Sequence, residues 1–330
     1  MAFPQRRIGG TDLLVSEVGF GCGGTSGLMG RGEAADRRRV VARALEVGIN
    51  YFDTAPGYDE TRSETNLGQT LKDLGVRPII STKVQVPAAG QGDIPAAVAA
   101  SVEASLRRLQ VDCIDLIQLH SRPTLEHREH EPAALTPQQV LGEGGVLDGF
   151  RAMQQQGKVR YFGFTAIGET AAIHQIVDSG EFHAVQVYYN LLNPSAGMHV
   201  PVGFRYHDYG MLMDRAAAKG MGVIVIRSLA AGALTGATEL HPMAGGWSRR
   251  ASHEVAADRV RAASLGFLTE GRGQTLAQAA LRFALMKPQT STVLVGFSDL
   301  EQVETAAGCY AGAGILPEDL HRLAEFYHAD

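Results

Sequence analysis

The chain has 330 residues, 45% of them hydrophobic and 20% charged, with a formal net charge of −5. This balance supports a full apolar core and excludes a disordered chain. Lys and Arg are scattered rather than gathered into a stripe that could neutralise a row of phosphates, which argues against a nucleic-acid partner.

Cys22, Cys113 and Cys309 are odd in number and far apart, with no CxxC pair and no His at zinc-finger spacing. Neither a disulfide framework nor a structural metal is expected, and a reducing cytoplasm is the natural location. Arg6 and Arg7 are followed by no apolar signal region, and no run approaches the roughly 18 apolar residues of a membrane span. Neither export by a standard signal nor a membrane partner is expected.

In chain order, Arg6–Gly9 and Leu13–Val15 flank Gly10-Thr11-Asp12 and read as a small hairpin able to plug one end of a barrel. Apolar, β-branched runs then alternate with helical patterns almost to the end. Eight runs read as strands: Val15–Gly21, Asn50–Thr54, Ile79–Val84, Cys113–His120, Tyr161–Ala166, Ala184–Tyr189, Gly222–Ser228 and Thr292–Phe297. Eight strands in regular alternation with helices suit a closed (β/α)8 barrel of the α/β class better than an open doubly wound sheet. Residues 1–330 are accordingly expected to form a single barrel domain with an N-terminal hairpin and extra C-terminal helices.

Helices are legible between the strands. In Ile94–Leu109, Val98, Val102, Ser105, Leu106 and Leu109 share one face. The run Asp36–Val47 stops at Gly48, which suits the left-handed cap position. The interval Leu229–Gln274 is too long for a bare connection, since structureless loops beyond about 15 residues are usually lids or binding loops. It is expected to hold an extra helix, Val255–Leu268, and its Gly245-Gly246-Trp247 stretch suits either a mobile cover or a passive insertion. Ser121–Thr136 carries His127, Glu129, His130 and Glu131, a pattern that reads as a solvated loop rather than a metal site.

In a barrel of this kind the loops at the C-terminal strand ends form the active face. Asp53 ends the second strand, Tyr58 lies in the following loop, Lys83 sits near the end of the third and His120 ends the fourth. Each has a plain structural alternative: Asp53 as a turn residue, Tyr58 as loop packing, Lys83 as an exposed strand end, His120 as a surface histidine. Together, on consecutive strand ends, they make chemical sense. Carbonyl reduction needs a proton donor at oxygen while hydride reaches carbon, and a phenol with an ordinary pKa near 10 must be tuned for that task. Lys83 would lower the pKa of Tyr58, Asp53 would hold Lys83 charged and oriented, and His120 would orient the carbonyl and help relay the proton.

At these residues the chain resembles a known family. Gly48-Ile49-Asn50-Tyr51-Phe52-Asp53-Thr54-Ala55-Pro56-Gly57-Tyr58, with Ser63-Glu64 and Leu67-Gly68 after it, is similar to the most recognisable segment of the aldo-keto reductases. The resemblance continues through Ser81-Thr82-Lys83, Asp112 to His120, Gly157 to Phe164, Gln186 to Asn190 and Val293 to Ser298. It implies an NADPH-type cofactor lying across the barrel mouth, a small carbonyl or sugar substrate, no metal and no Rossmann domain. The absence of a GxGxxG opening a strand-turn-helix unit agrees with it.

Carried over position by position, the resemblance assigns Thr165 and Gln186 to the nicotinamide carboxamide, although Ala166 stands where Asn is common. Arg227 falls where an aromatic residue often stacks on the nicotinamide, and a guanidinium lying on the ring would disfavour its cationic, oxidised form. Gly23 ends the first strand, where small residues let a backbone approach the ligand. Ser228, Leu229 and Gly232 match the loop that bridges the pyrophosphate. Gly296, Ser298, Asp299 and Gln302 match the adenosine-phosphate segment. Asp299 would repel a 2′-phosphate, so NAD stays open beside NADP, and the same residue also suits the N-cap of a helix Leu300–Ala307.

Two other functions stay in view. One is a non-catalytic nicotinamide-binding sensor barrel, which turnover of any aldehyde would exclude. The other is a Schiff-base lyase using Lys83, which needs that amine neutral, whereas Asp53 would keep it protonated. Tyr51, Phe204 and Trp247 are candidate substrate walls, while the substrate and the oligomeric state are not legible in the sequence.

Overall fold

The computed structural model describes residues 2–237, 239, 241–243, 245 and 252–329. Two short strands, β1 (Gln5–Arg7) and β2 (Leu14–Ser16), form an antiparallel hairpin. Eight further strands follow: β3 (Val18–Gly21), β4 (Tyr51–Asp53), β5 (Ile79–Val84), β6 (Ile114–Leu119), β7 (Val159–Thr165), β8 (Ala184–Tyr188), β9 (Gly222–Ile226) and β10 (Thr290–Gly296). They are all parallel and close in sequence order, with β10 pairing β3 through Val293 opposite Val18.

A helix follows each barrel strand: Ala34–Glu46, Arg62–Leu74, Ile94–Leu109, Val146–Gln155, Thr170–Asp178, Leu212–Ala218, Leu276–Met286 and Leu300–Ala307. Additional helices include Ser252–Ala263 and the C-terminal Pro317–Ala329. The chain is therefore a (β/α)8 barrel with an N-terminal hairpin and extra helices, as the alternation of patterns implies.

The period of two along each strand sorts side chains between lumen and helix layer. In the ladder Asp53 pairs with Ser81 and Ser81 with Leu116; Lys83 pairs with Gln118, Gln118 with Gly163 and Gly163 with Ala184; and Thr165 pairs with Gln186. Tyr51, Leu116, Ala184, Ile224 and Leu294 form an apolar lumen cluster with Ile8, Leu13 and Val15 from the hairpin side. The hairpin thus fills the lower lumen, and the polar residues lie one step above it. Gly19 exists because Tyr51 occupies that lumen: a Cβ there would lie 2.9 Å from both the Tyr51 ring and Leu294. Outward residues meet the helices, as in the stack of Phe20 on Phe52 at 5.0 Å, and each such ring contributes about 2 kcal/mol by burial.

Several boundaries differ from expectation for local reasons. Val15–Gly21, expected as one strand, is split at Glu17, whose N–H donates back to the Pro4 carbonyl and whose carboxylate accepts from Arg6 Nε at 2.6 Å. The hairpin strands lie slightly outside the expected Arg6–Gly9 and Leu13–Val15, because Ile8, Leu13 and Thr11 tie the turn itself. Cys113, Asn50 and His120 fall just outside their strands. The helix expected over Val255–Leu268 begins earlier and stops at Ala263, after which Gly266–Leu268 forms a separate 3-10 turn. Gly48 has φ +90° beyond the helix Ala34–Glu46, as its cap position requires.

Candidate active site

Asp53 ends β4 facing the lumen and is buried, and its carboxylate collects three donors. Lys83 Nζ donates to Oδ1 at 2.5 Å, while Gln186 Nε2 and Gln118 Nε2 donate to Oδ2 at 2.7 and 3.1 Å. Lys83 also donates to the Thr54 carbonyl at 2.8 Å. Both charges are out of water, an arrangement that is tolerable only because each finds its opposite and further hydrogen bonds. Burial alone would lower the ammonium's pKa, but the charges and hydrogen bonds of Asp53 and Tyr58 outweigh it and leave Lys83 above its ordinary value.

Tyr58 reaches this pair from the β4 loop, with the Lys83 ammonium 4.8 Å from its ring centre. The loop is held in an unusual turn: Asp59, Glu60 and Thr61 all have positive φ, a costly run that persists only where the surroundings enforce it. Enforcement comes from Arg31, which pairs with Asp59 and donates to the carbonyls of Gly24 and Met243. Ser63 Oγ adds a bond to the Cys22 carbonyl at 2.8 Å. Behind β5, fully buried Glu64 accepts from Thr82 at 2.5 Å and Arg108 at 2.6 Å, fixing the strand that carries Lys83 to two helices.

The pKa of Tyr58 lies above its ordinary value: burial raises it, Lys83 lowers it and Asp53 raises it. This corrects the expectation of a depressed phenol, because the lysine's pull is present but smaller than the cost of desolvating a phenolate. His120, just past β6, presents its ring edge-on to Tyr58 with centroids 6.0 Å apart. Its pKa is pushed down to about 3, by burial first and by the Lys83 charge second. A neutral imidazole beside a phenol, a cation and a carboxylate can donate to, or accept from, a carbonyl or hydroxyl.

The other sequence-derived positions spread around the same mouth. Thr165 donates to Gln186 Oε1 at 3.2 Å, so these two belong to the Asp53 network. Gly23 lies against Tyr58, with room for a Cβ 3.7 Å from the ring. Arg227, at the end of β9, has φ +58°, its carbonyl accepts from Asn190 Nδ2 at 2.7 Å, and its charge acts on Tyr58. Beyond Ser228 and Leu229, the backbone is left-handed at Ala230, Ala231 and Gly232. Ser228 Oγ donates to the Leu294 carbonyl and Ser298 Oγ to the Ser26 carbonyl, linking this loop and the first strand's loop to β10. Gly296 is exposed at the lumen mouth, and Gln302 receives the Ser298 N–H at 2.8 Å. Asp299 caps the helix Leu300–Ala307 through the Gln302 N–H and also pairs with His241 at 3.2 Å.

Sequence reasoning missed Gln118, Arg31 and His241. The first had a signal, since Gln118 is a lone neutral polar residue two positions after lumen-facing Leu116. Tyr51 is corrected as a substrate wall: it is fully buried beneath the polar layer, in the apolar lumen cluster. Phe204 packs on Tyr206 in the β8 loop, and Trp247 lies outside the described residues.

A parallel eight-stranded barrel with this polar cluster at its C-terminal mouth defines a class of enzyme, and the chain belongs to the aldo/keto reductase family, whose model matches residues 17–327. Members of this family are oxidoreductases that use nicotinamide cofactors and act on small carbonyl compounds. Across 334 aligned positions, covering 97% of this chain and 92% of the relative, it is 29% identical to the L-galactose dehydrogenase of Arabidopsis thaliana. Among solved structures it resembles the holo form of an aldo-keto reductase from Bacillus halodurans, with 25% identity, a TM-score of 0.70 and coverage of 98% and 96% of the two chains. The fold is also that of a glycerol dehydrogenase from Gluconobacter oxydans, at 22% identity, TM-score 0.74 and coverage of 100% and 96%. No described helix is long and apolar enough to cross a membrane.

Proposed function

We propose that the chain, working as one barrel domain, interconverts a carbonyl compound (aldehyde, ketone or sugar lactol and lactone) and its reduced form, with Tyr58 as the acid-base residue and NADP(H) as the working cofactor. The observation that carries this reading is the placement of Tyr58 against the buried Lys83–Asp53 pair. The similarity to an L-galactose dehydrogenase favours aldoses as the first substrates to try.

The residues present fit a nicotinamide dinucleotide. Arg227, Ala230 and Ala231 keep strained left-handed backbone of the kind retained at ligand sites, and Gly296 leaves the lumen mouth open. Ser228, Leu229 and Gly232 would hold the pyrophosphate, Thr165 and Gln186 the nicotinamide end, and Ser298, Asp299 and Gln302 the adenosine end. Bound there, the cofactor supplies or accepts hydride at the substrate carbon.

In reduction Tyr58 gives its proton to the carbonyl oxygen as the carbon gains hydride, and in oxidation it takes that proton back. Lys83 stabilises the phenolate left behind, Asp53 keeps Lys83 charged, and neutral His120 donates an N–H to orient the oxygen. The raised pKa of Lys83 argues against a Schiff-base amine, which must be neutral to attack a carbonyl.

The test is oxidation of NADPH and NADH with a panel of aldehydes and aldoses, with the reverse reaction on both oxidised nucleotides, for wild type and Tyr58→Phe. Turnover lost by at least about a hundredfold with the hydroxyl is the expected result. Nucleotide binding without wild-type turnover across the panel would replace this reading with the sensor barrel.

A further inference from the structure

Resting on that reading, we propose that Gln118 is a positioning residue for the acid-base centre: its carboxamide, anchored on Ser81, pins the Asp53 carboxylate that holds Lys83 against Tyr58. The residue faces the lumen in register with Lys83 on β5 and with Gly163 on β7, and its side chain is completely buried. Its Nε2 donates to Asp53 Oδ2 at 3.1 Å and to Ser81 Oγ at 2.7 Å.

Chemistry fixes which way this amide points. An ionised carboxylate only accepts, so Nε2 must face Asp53, and the reverse placement would set two oxygens against each other. The consequence is that Gln118 Oε1 is buried with no hydrogen-bond partner among the described groups. Such an orphan acceptor costs stability that an apolar side chain of the same shape would not. What Gln118 contributes in return is its donor end.

That end matters because of how the carboxylate is shared. Lys83 takes Oδ1, while Oδ2 is held by Gln118 from β6 and Gln186 from β8. Held at both oxygens, the carboxylate cannot rotate, and Lys83 stays aligned on Tyr58. Gln186 is also a proposed cofactor contact, which leaves Gln118 as the donor to Asp53 with no second task.

The experiment compares wild type, Gln118→Met and Ser81→Ala with the nucleotide and substrate that wild type turns over. Folding is followed by circular dichroism, nucleotide affinity by fluorescence, and kcat, KM and the pH profile of alcohol oxidation by steady-state kinetics. For Gln118→Met, nucleotide affinity and KM should stay within about twofold, kcat should fall on the order of tenfold, and the profile's apparent pKa should move upward, because Asp53 loses a donor that damps its charge toward Tyr58. Ser81→Ala, which removes only the anchor, should shift the profile the same way and less, and it decides the matter if Gln118→Met does not fold. A profile superimposable on wild type in the folded variant overturns the proposal, even if kcat falls. An inactive wild type would defeat the oxidoreductase reading itself, which is a different outcome from an active wild type matched by its variants.

Discussion

The rings of His120 and Tyr58 stand nearly perpendicular, at 87°, with their centroids 6.0 Å apart. An imidazole's N–H and lone pair lie in its own ring plane, so at this angle they are directed across, not parallel to, the plane of the phenol ring.

Because His120 is held neutral down to about pH 3, against an ordinary value of 6.5, it ties acid stability to the site. The unfolded chain takes up a proton on this residue below 6.5 while the folded chain does not, so falling pH favours unfolding. The contribution is complete above 6.5 and is lost progressively as pH drops toward 3. Urea unfolding of wild type and His120→Gln at neutral pH and near pH 4 measures it: the variant should lose less stability between the two conditions. Equal losses would place the acid sensitivity elsewhere.

Removing one charge of the Lys83–Asp53 pair should harm the fold more than removing both. Asp53→Asn leaves an ammonium buried without its anion, a change expected to cost about 3 kcal/mol or more in denaturant unfolding. Asp53→Asn combined with Lys83→Met should recover most of that stability and none of the activity. A double variant as unstable as the single one would show that the ion pair is a net contributor to folding rather than a catalytic cost.

Under the proposed function, Asp299 is the candidate residue for the choice between the two nicotinamide nucleotides. Its carboxylate caps a helix and lies 3.2 Å from His241 Nε2. Asp299→Ala should cost about 1 kcal/mol in stability through the lost cap and should raise the ratio of NADPH to NADH efficiency. An unchanged ratio in the nucleotide assay would remove Asp299 from cofactor selection and leave it a capping residue.

Most of the barrel was legible because a closed parallel sheet needs eight apolar runs, and each run here is bounded by turn residues or polar strand ends. The catalytic candidates were legible for a related reason: Asp53 ends and Lys83 interrupts strands that are otherwise apolar or hydroxylic, and His120 follows directly on the end of another strand. Glu17 was not read as a break, because one charged residue between Ser16 and Val18 does not betray that its N–H folds back on Pro4. Gln118 escaped notice because a neutral amide carries no charge to mark it, and its partner Asp53 is 65 residues away along the chain. Burial reversing the expected shift of Tyr58 could not be read from residue types alone, since desolvation depends on what surrounds the hydroxyl in space.

The hairpin plug and the barrel seam join parts of the chain that lie far apart in sequence. Gly10 N–H waits for the Gly220 carbonyl, and Val18 in β3 finds its ladder partner only at Val293 in β10. A nascent chain must therefore carry an unsealed lumen and an unpaired β3 edge until β10 has been made. Exposed strand edges of that kind invite pairing with other chains.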